Sequence, residues 1–349
     1  MSRQLVCTVI SWLLCCGPSA AAELIDLEEL TSATESTATT YDLTDDQDWT
    51  VMPTAFGRPI NRDGSGPWSV NFTQTVDYIT NLALPFALTP NNGSVFQNDF
   101  GFQTTGGFRY TRTFGEFFTA YAGYSYYQNL HPNVTSLNLQ THSPVGGVSV
   151  QLTERVVAAM DYDWSYYYLA GNSLVGQNRV ANSFTYTGDN LWIGKIAYDL
   201  ALADFKGNQQ FLDSNNHSAR LEMLRYFSDR RAGYLTGGYT YGLSNAALDG
   251  FAYHVNSVFL GTLIPLGQAR RTNLNLLGAY GQYDFHGFDP IETTVIREDR
   301  ILSLSARLSR NITDRMQLFG QFIYYDSDSN VLRQDYVSKT FSGGVTVGF

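Results

Sequence analysis

Cysteine is scarce in this sequence and is confined to its start. The three cysteines are Cys7, Cys15 and Cys16. They lie in a segment that we predict to be removed, so the remaining chain would have no disulfide and no thiol chemistry. A disulfide-stapled secreted domain and a CxxC-type metal or redox site are therefore excluded.

The first 22 residues have the layout of a secretory signal peptide. Arg3 precedes an apolar stretch over residues 5–16, and a run of alanines over residues 20–22 precedes Glu23. The apolar stretch is too short to span a bilayer. We predict export with cleavage before Glu23. A lipoprotein anchored at one of the two later cysteines is a less favoured alternative, because neither follows the usual small residue.

Long apolar runs are missing from the rest of the chain. No stretch after residue 22 approaches the roughly 18 apolar residues in succession that indicate a transmembrane helix. Aromatic residues are nevertheless abundant, with 23 Tyr, 22 Phe and 5 Trp. Tyr and Trp suit the two rims of a membrane protein, because each has an apolar body and a polar tip. A soluble β-sandwich or propeller is the alternative, although no blade-like repeat is visible.

Basic residues are absent from the segment that follows the predicted cleavage. Residues 23–48 contain nine acids and no Lys or Arg, which accounts for most of the formal net charge of -10. We predict that residues 23–67 form an acidic, disordered periplasmic extension. A plug or a segment that binds a periplasmic partner is the alternative. The rest of the chain is close to neutral.

Apolar and polar residues alternate from Trp68 to Phe349. Short connections take turns with longer polar ones, one of them predicted at 170–178, which is typical of an up-and-down barrel with periplasmic turns and extracellular loops. We predict an all-β transmembrane antiparallel β-barrel of about 14 strands (12–16) over residues 68–349. Pro144 argues against continuous pairing where it lies, because proline cannot donate to a strand ladder. The predicted strands are 69–80, 99–113, 117–128, 141–152, 156–169, 179–187, 191–204, 217–227, 232–243, 251–264, 272–286, 299–310, 315–326 and 337–349.

Charged residues fall on one face of several predicted strands. A Lys or Arg on the lipid face at mid-membrane costs about 2 to 4 kcal/mol, so the charged face must point inward. Four bases and four acids would then form opposed rows, whose transverse field predicts weak ion selectivity. A salt-bridged interior without an open pore is the alternative. The predicted pore-lining residues are Arg109, Asp161, Asp163, Lys195, Asp199, Arg220, Glu222, Arg307, Gln317 and Gln321, joined by Tyr121, His254 and Asn256.

Catalytic and metal-binding signals are weak. The five histidines include no HxxxH or HExxH arrangement, so we predict no metal, no cofactor and no enzymatic activity. His142 next to Ser143, and His286 near Asp284 and Asp289, superficially match hydrolase pairs. Residues of these types are common in loops by chance. A phosphate-binding loop and a basic patch for nucleic acid are also missing from the sequence.

The last strand resembles the assembly signal of Gram-negative outer-membrane barrel proteins. A final aromatic, Phe349, follows apolar residues at the alternate positions Phe341, Val345 and Val347, with Gly343 at the usual small position. The resemblance implies location in the outer membrane and insertion by the barrel assembly machinery. It covers about ten residues at the end of the chain.

A second, weaker resemblance concerns the last hairpin. Residues 324–330, read as Tyr-Tyr-Asp-Ser-Asp-Ser-Asn, with Tyr336 and the closing strand, resemble barrels associated with export of surface polysaccharide or lipoprotein. From the residues as a whole we predict a porin-like channel for passive diffusion of small polar solutes or ions. The alternatives are a barrel for macromolecular export or display, a structural or adhesive surface protein and, third, an outer-membrane hydrolase.

Overall fold

The computed structural model of the chain describes residues 67–83, 96–115, 117–188, 191–228, 233–267, 271–288, 295–331 and 334–349. The predicted signal peptide and the predicted acidic extension up to residue 66 lie outside the described residues. The described part contains fourteen strands, β1 to β14 in chain order. Their bounds are Trp68–Ala83, Phe96–Phe114, Phe118–Leu130, Leu139–Thr153, Val156–Leu169, Asn172–Thr187, Trp192–Phe205, Ser214–Tyr226, Tyr234–Ala246, Tyr253–Leu266, Thr272–Phe288, Ile296–Asn311, Met316–Ser329 and Tyr336–Gly348.

The fourteen strands form one closed barrel. Each strand pairs antiparallel with its neighbours in the chain, and β14 pairs with β1. At this closure Val70 and Phe349 exchange two backbone hydrogen bonds, each with an N···O distance of 2.9 Å. The predicted all-β antiparallel barrel of 14 strands is confirmed. Because the strand number is even, β1 begins and β14 ends at the same rim, which we call the lower rim; the opposite rim is the upper rim.

The outer face of the barrel carries a belt of large apolar side chains. On β1, Trp68, Val70 and Phe72 point outward and are exposed, and Phe341 on β14 does the same. Successive side chains of a strand point to opposite faces, so the residues between them face the interior. An apolar belt of this extent is stable in contact with hydrocarbon rather than water. Together with the closed sheet, it gives the chain the architecture of a transmembrane β-barrel.

The connection between β5 and β6 is a two-residue turn, so the predicted long loop over residues 170–178 is wrong. The turn consists of Ala170 and Gly171, with φ values of 49° and 77°. Two positive φ values are typical of the type I′ turn, whose twist matches that of the flanking strands. The polar residues that suggested a loop instead form the first part of β6 near the upper rim.

Pro144 lies within β4, contrary to the expectation that a paired strand would avoid it. It is directly opposite Tyr124 of β3. On its other side, direct pairing with β5 stops at His142 and resumes at Val145. The strand therefore accommodates the missing N–H at a local gap in one of its two ladders.

Two apolar clusters line the interior near the upper rim. Three short 3-10 turns, Thr135–Leu137, Gly207–Leu212 and Asp249–Phe251, lie in the upper connections, and two of them contribute Leu212 and Phe251 to the first cluster. The inner wall is therefore packed on the β6 to β11 side of this rim. Within the described ranges, no helix is long and apolar enough to cross a bilayer. The clusters consist of Leu174, Val175, Ala203, Phe205, Leu212 and Phe251, and of Tyr253, Val255, Tyr283 and Phe285.

Replacing Ala170 by Asn should stabilise the barrel by up to about 1 kcal/mol, because Asn adopts positive φ more readily than Ala and gives the favoured Asn-Gly turn. The free energy of unfolding in urea, measured in lipid vesicles, tests this. Ala247→Asn changes an exposed position whose φ is not positive and should stay within about 0.5 kcal/mol of the parent. A loss of stability in Ala170→Asn alone would contradict the turn type.

Candidate pore lining

All ten predicted pore-lining residues lie on the inner faces of their strands. Tyr121 on β3 shares this face, as its hydrogen bond to the inward Asp161 shows. The inner face alternates strictly with the exposed apolar belt along every strand concerned. The ten are Arg109 on β2, Asp161 and Asp163 on β5, Lys195 and Asp199 on β7, Arg220 and Glu222 on β8, Arg307 on β12, and Gln317 and Gln321 on β13.

His254 and Asn256 point outward, so the prediction that they line the lumen is wrong. Their neighbours Tyr253 and Val255 on β10 are 1% and 2% exposed and occupy the inner face. On the outside, the hydroxyl of Tyr239 donates a hydrogen bond to Asn256 Oδ1 at 2.6 Å. Polarity was misleading here because outward residues near the upper rim lie beyond the apolar belt, where polar groups meet water or lipid head groups.

The inner faces of β5 to β8 carry a group of seven neighbouring charges, five of which form ion pairs. Arg179 Nη2 donates to Asp199 Oδ1 at 3.1 Å, and its Nη1 lies 3.8 Å from Asp163 Oδ2. Arg220 Nη1 donates to Glu222 Oε1 at 3.3 Å. We call this group the ion-pair wall, and its members are Asp161, Asp163, Arg179, Lys195, Asp199, Arg220 and Glu222.

Arg179 is the base that links two carboxylates of the ion-pair wall, yet the sequence prediction omits it. The predicted loop over 170–178 makes residue 179 the first of its strand, although Val180, Phe184 and Tyr186 on the opposite face already indicate that Arg179 points inward. In the structure β6 begins at Asn172, and Arg179 shares the parity of the buried Val175 and Gln177. The apolar residues of the opposite parity are the signal that would have placed Arg179 inside.

The ion-pair wall is reached by solvent from inside the barrel. The side chains of Arg179 and Asp163 are 28% and 23% exposed, and those of Asp199, Arg220 and Glu222 are less exposed but not closed off. Because these side chains face inward, the exposed surface faces the lumen. Water-accessible space therefore runs along β5 to β8 at mid-height of the barrel.

Arg109 lies flat against the wall rather than reaching across the lumen. Its guanidinium carbon is 3.7 Å from the centre of the Tyr121 ring, and the Tyr121 hydroxyl donates to Asp161 Oδ1 at 2.5 Å. The ring itself lies over Gly147, where an added Cβ would come within 2.5 Å of Tyr121 Cε1. The cation–π contact keeps the charge beside an aromatic face.

Arg307 repeats this arrangement on β12, four strands away from β2 across the β1–β14 closure. Its guanidinium carbon is 3.7 Å from the centre of the Phe319 ring. The Phe319 ring lies over Gly344 of β14, where an added Cβ would approach Phe319 Cζ to 2.5 Å. Arg109 and Arg307 are only 6% and 7% exposed, so both contribute less charge to the lumen than Arg179.

The charges do not form the two opposed rows that the sequence predicts. Six of the eight predicted charges lie on β5, β7 and β8, and only Arg109 and Arg307 lie elsewhere. Bases and acids alternate within the ion-pair wall, so most of their field cancels between neighbouring strands. Parity gives the face of each of these eight residues, whereas their place around the barrel follows from the order of the strands in the chain.

Polar contacts near the upper rim hold the chain against the inner wall. Asp99 of β2 accepts a hydrogen bond at 2.7 Å from Asn133 and lies 3.1 Å from His131 Nδ1. On β12, Arg297 forms an ion pair with Asp299, and both residues are almost fully buried. Asp99, His131, Arg297 and Asp299 are almost closed to solvent, in contrast to the ion-pair wall.

Of the residue pairs that superficially match hydrolases, His142 and Ser143 lie on opposite faces of β4, whereas His286 and Asp284 share the outer face of β11. His142 faces outward and contacts the Tyr124 hydroxyl through Nδ1 at 2.5 Å, whereas Ser143 faces inward and contacts Ser165. Adjacent strand residues on opposite faces cannot act together on one substrate. His286 and Asp284 both face outward, while Asp289 lies outside the described residues.

Comparison with solved structures finds matches at low similarity, a porin among them. OccAB4 of Acinetobacter baumannii has a TM-score of 0.42 and 11% identity over 83% of this chain and 100% of that one. An anion-selective porin from Comamonas acidovorans has a TM-score of 0.43 and 11% identity over 81% and 98%. OprB of Pseudomonas putida has a TM-score of 0.46 and 5% identity over 81% and 94%. TM-scores below 0.5 do not assign a function to this chain.

No protein-family model and no curated protein sequence matches the chain. The class of protein is therefore defined by its own geometry, a closed fourteen-stranded antiparallel barrel with an apolar outside and a charged inside.

The folded arrangement around the buried His131 should lose stability in acid. Burial lowers the pKa of His131, and Asp99 only partly opposes this effect. Because the folded state favours the neutral imidazole, its stability should fall as pH drops below the ordinary histidine pKa of 6.5. Hydrogen exchange of residues 131–138, followed from about pH 8 to about pH 5, measures this.

His131→Gln is the matched variant for that experiment, since glutamine can hydrogen-bond to Asp99 without titrating in this range. In this variant the free energy of local opening at residues 131–138, corrected for the intrinsic pH dependence of amide exchange, should change little with pH. His217→Gln, on the outer face, should keep the pH dependence of the parent. An unchanged pH dependence in His131→Gln would contradict the assignment to this histidine.

Proposed function

We propose that the chain is a channel of the Gram-negative outer membrane that lets small polar solutes and ions diffuse passively through its lumen. The observation that carries the proposal is the solvent exposure of the ion-pair wall on the inner face. If the charges served only to pair with one another in a packed interior, they would be buried from solvent, as Arg297 and Asp299 are.

Selectivity should be weak. The ion-pair wall contains three bases and four acids in alternation, so a passing ion of either sign meets partners of opposite charge at short range. The stacked positions of Arg109 and Arg307 limit their reach into the lumen. The packed clusters lie above the ion-pair wall, on the β6 to β11 side of the upper rim, and narrow the passage there, which favours small solutes.

The route to the membrane is part of the same proposal. Insertion by the barrel assembly machinery would use the outward side chains of the closing strand, namely Phe341, Gly343, Val345, Val347 and Phe349. Phe341 and Phe349 are both exposed on the outer face. The last strand then pairs with β1 and completes the barrel.

A barrel for export or display, or with a structural surface role, is the second candidate. The observation that favours it is the packed upper rim, where Phe205, Leu212 and Phe251 are almost completely buried inside the barrel. A passage closed at this rim would make the barrel silent in conductance measurements.

Planar-bilayer recordings of the refolded chain test the channel. We expect stable stepwise conductance. Arg179→Ala removes the base shared by Asp163 and Asp199. The cation-to-anion permeability ratio, obtained from the reversal potential in a salt gradient, should therefore rise several-fold. Glu222→Gln should shift it toward anions. Arg109→Ala and Arg307→Ala should have smaller effects, because both side chains are nearly buried.

Arg225→Ala is the matched control, since Arg225 lies on the outer face with its guanidinium carbon 5.2 Å from the Trp192 ring centre. It should leave the reversal potential unchanged. A correctly inserted barrel that carries no current would overturn the channel and favour the structural role. If Arg179→Ala and Glu222→Gln both conduct with the selectivity of the parent, the chain is a pore but the ion-pair wall does not line its conducting path.

A further inference from the structure

Two histidines from neighbouring strands face each other on the outside of the barrel near the upper rim. His254 Nδ1 on β10 lies 3.5 Å from His286 Nε2 on β11, with ring centres 5.7 Å apart. Asp284 is directly opposite His254 in the strand register, and its Oδ2 lies 3.0 Å from His254 Nε2. His254 Nδ1 and His286 Nε2 therefore face each other, while the carboxylate of Asp284 contacts the other nitrogen of His254.

The separation of the two nitrogens suits a shared metal ion better than a direct hydrogen bond. Normal N–H···N hydrogen bonds are shorter than 3.5 Å. Two imidazole nitrogens that each bind one tetrahedral metal ion at about 2.0 to 2.1 Å lie about 3.3 to 3.4 Å apart. A small rotation of either ring would reach this geometry.

The position of Asp284 fits the usual surroundings of a metal-binding histidine. Such a histidine commonly donates its other N–H to a carboxylate, which fixes the tautomer and makes the ligating nitrogen more basic. Here a proton on His254 Nε2, shared with Asp284, leaves the lone pair of Nδ1 directed at His286. Gln282 Nε2 donates to Asp284 Oδ1 at 3.2 Å and restrains that carboxylate in turn.

We propose that His254 and His286 bind a divalent transition-metal ion of the Zn²⁺, Cu²⁺ or Ni²⁺ class, with Asp284 as the positioning carboxylate. Imidazole ligands favour these ions over Ca²⁺ and Mg²⁺. Across the described ranges, no group of three or more His, Cys, Asp or Glu side chains is arranged to hold a metal. The site therefore supplies two protein ligands and leaves the other coordination positions to water or to an external ligand.

The site is accessible from outside the barrel. The His254 side chain is 37% exposed, and the outward residues further down β10, Val258 and Leu260, belong to the apolar belt. The change from apolar to polar places the histidines beyond the hydrocarbon layer. Metal binding at this position is separate from the proposed conduction, which concerns the inner face.

Titration of the tag-free, folded barrel in detergent with Zn²⁺, followed by calorimetry, tests the site. We expect one ion per barrel. His254→Ala and His286→Ala should each weaken binding at least tenfold, and Asp284→Asn should weaken it about tenfold through loss of the positioning contact. With Cu²⁺, nitrogen hyperfine structure in electron paramagnetic resonance should report two ligating nitrogens in the parent and one in either single variant.

His217→Ala is the matched control, because His217 also faces outward but contacts the Tyr198 hydroxyl through Nδ1 at 2.7 Å. It should bind Zn²⁺ like the parent. The substituted residues lie on the exposed surface, so we expect each variant to fold. A gel that separates the folded from the unfolded barrel would reveal any folding defect independently of metal binding. Unchanged affinity in the His254→Ala, His286→Ala double variant, or no binding by the folded parent at millimolar Zn²⁺, would overturn the proposal.

Discussion

The hydrogen bonds between β1 and β14 are the constraint on which the rest of the structure depends. In hydrocarbon an unpaired backbone group costs several kcal/mol, so a sheet in a bilayer must have no free edge. The two bonds between Val70 and Phe349 close the last gap at the lower rim. Once the sheet is closed, every strand has an outside and an inside, and the alternation of the sequence decides which side chains meet lipid and which meet the lumen.

Closure of the barrel also determines which partners a charged side chain on the inner face can reach. A charged side chain inside the barrel faces the lumen, and its nearest partners are on the adjacent strands or two residues along its own strand. Arg179 therefore pairs with Asp163 and Asp199, and Arg220 pairs with Glu222 on its own strand. Neighbouring pairs of this kind satisfy each charge locally while still leaving it in contact with water.

Much of the fold was readable from the sequence because a barrel strand is defined by a local pattern. Fourteen strands, their short lower connections and the inward parity of Asp161 or Arg307 follow from a period of two. The turn at Ala170 and Gly171 was missed because the start of β6 is as polar as a loop. His254 was placed inside because polarity alone does not distinguish the lumen from the outer surface beyond the apolar belt.

The contacts between side chains of different strands could not be read from the sequence. Chain order places the ion-pair wall on β5 to β8, but the register of each hairpin sets the height of its charges and decides which of them meet. The same holds for the meeting of His254 and His286, thirty-two positions apart in the chain. Such contacts arise from pairing across strands and leave no trace in local composition.

Gly147 and Gly344 show that the calibre of a barrel depends on side chains that are missing. Each glycine leaves a hollow in the wall that receives an aromatic ring, Tyr121 or Phe319, and each ring supports an arginine in turn. A methyl group at Gly147 would meet only side chains and would displace the Tyr121 ring and its arginine toward the axis, whereas one at Gly344 would also meet the backbone carbonyl of Gln74 on β1. A lineage of such barrels could therefore change the width of its interior by a one-residue step at a glycine such as Gly147, without altering strand number, register or any charge.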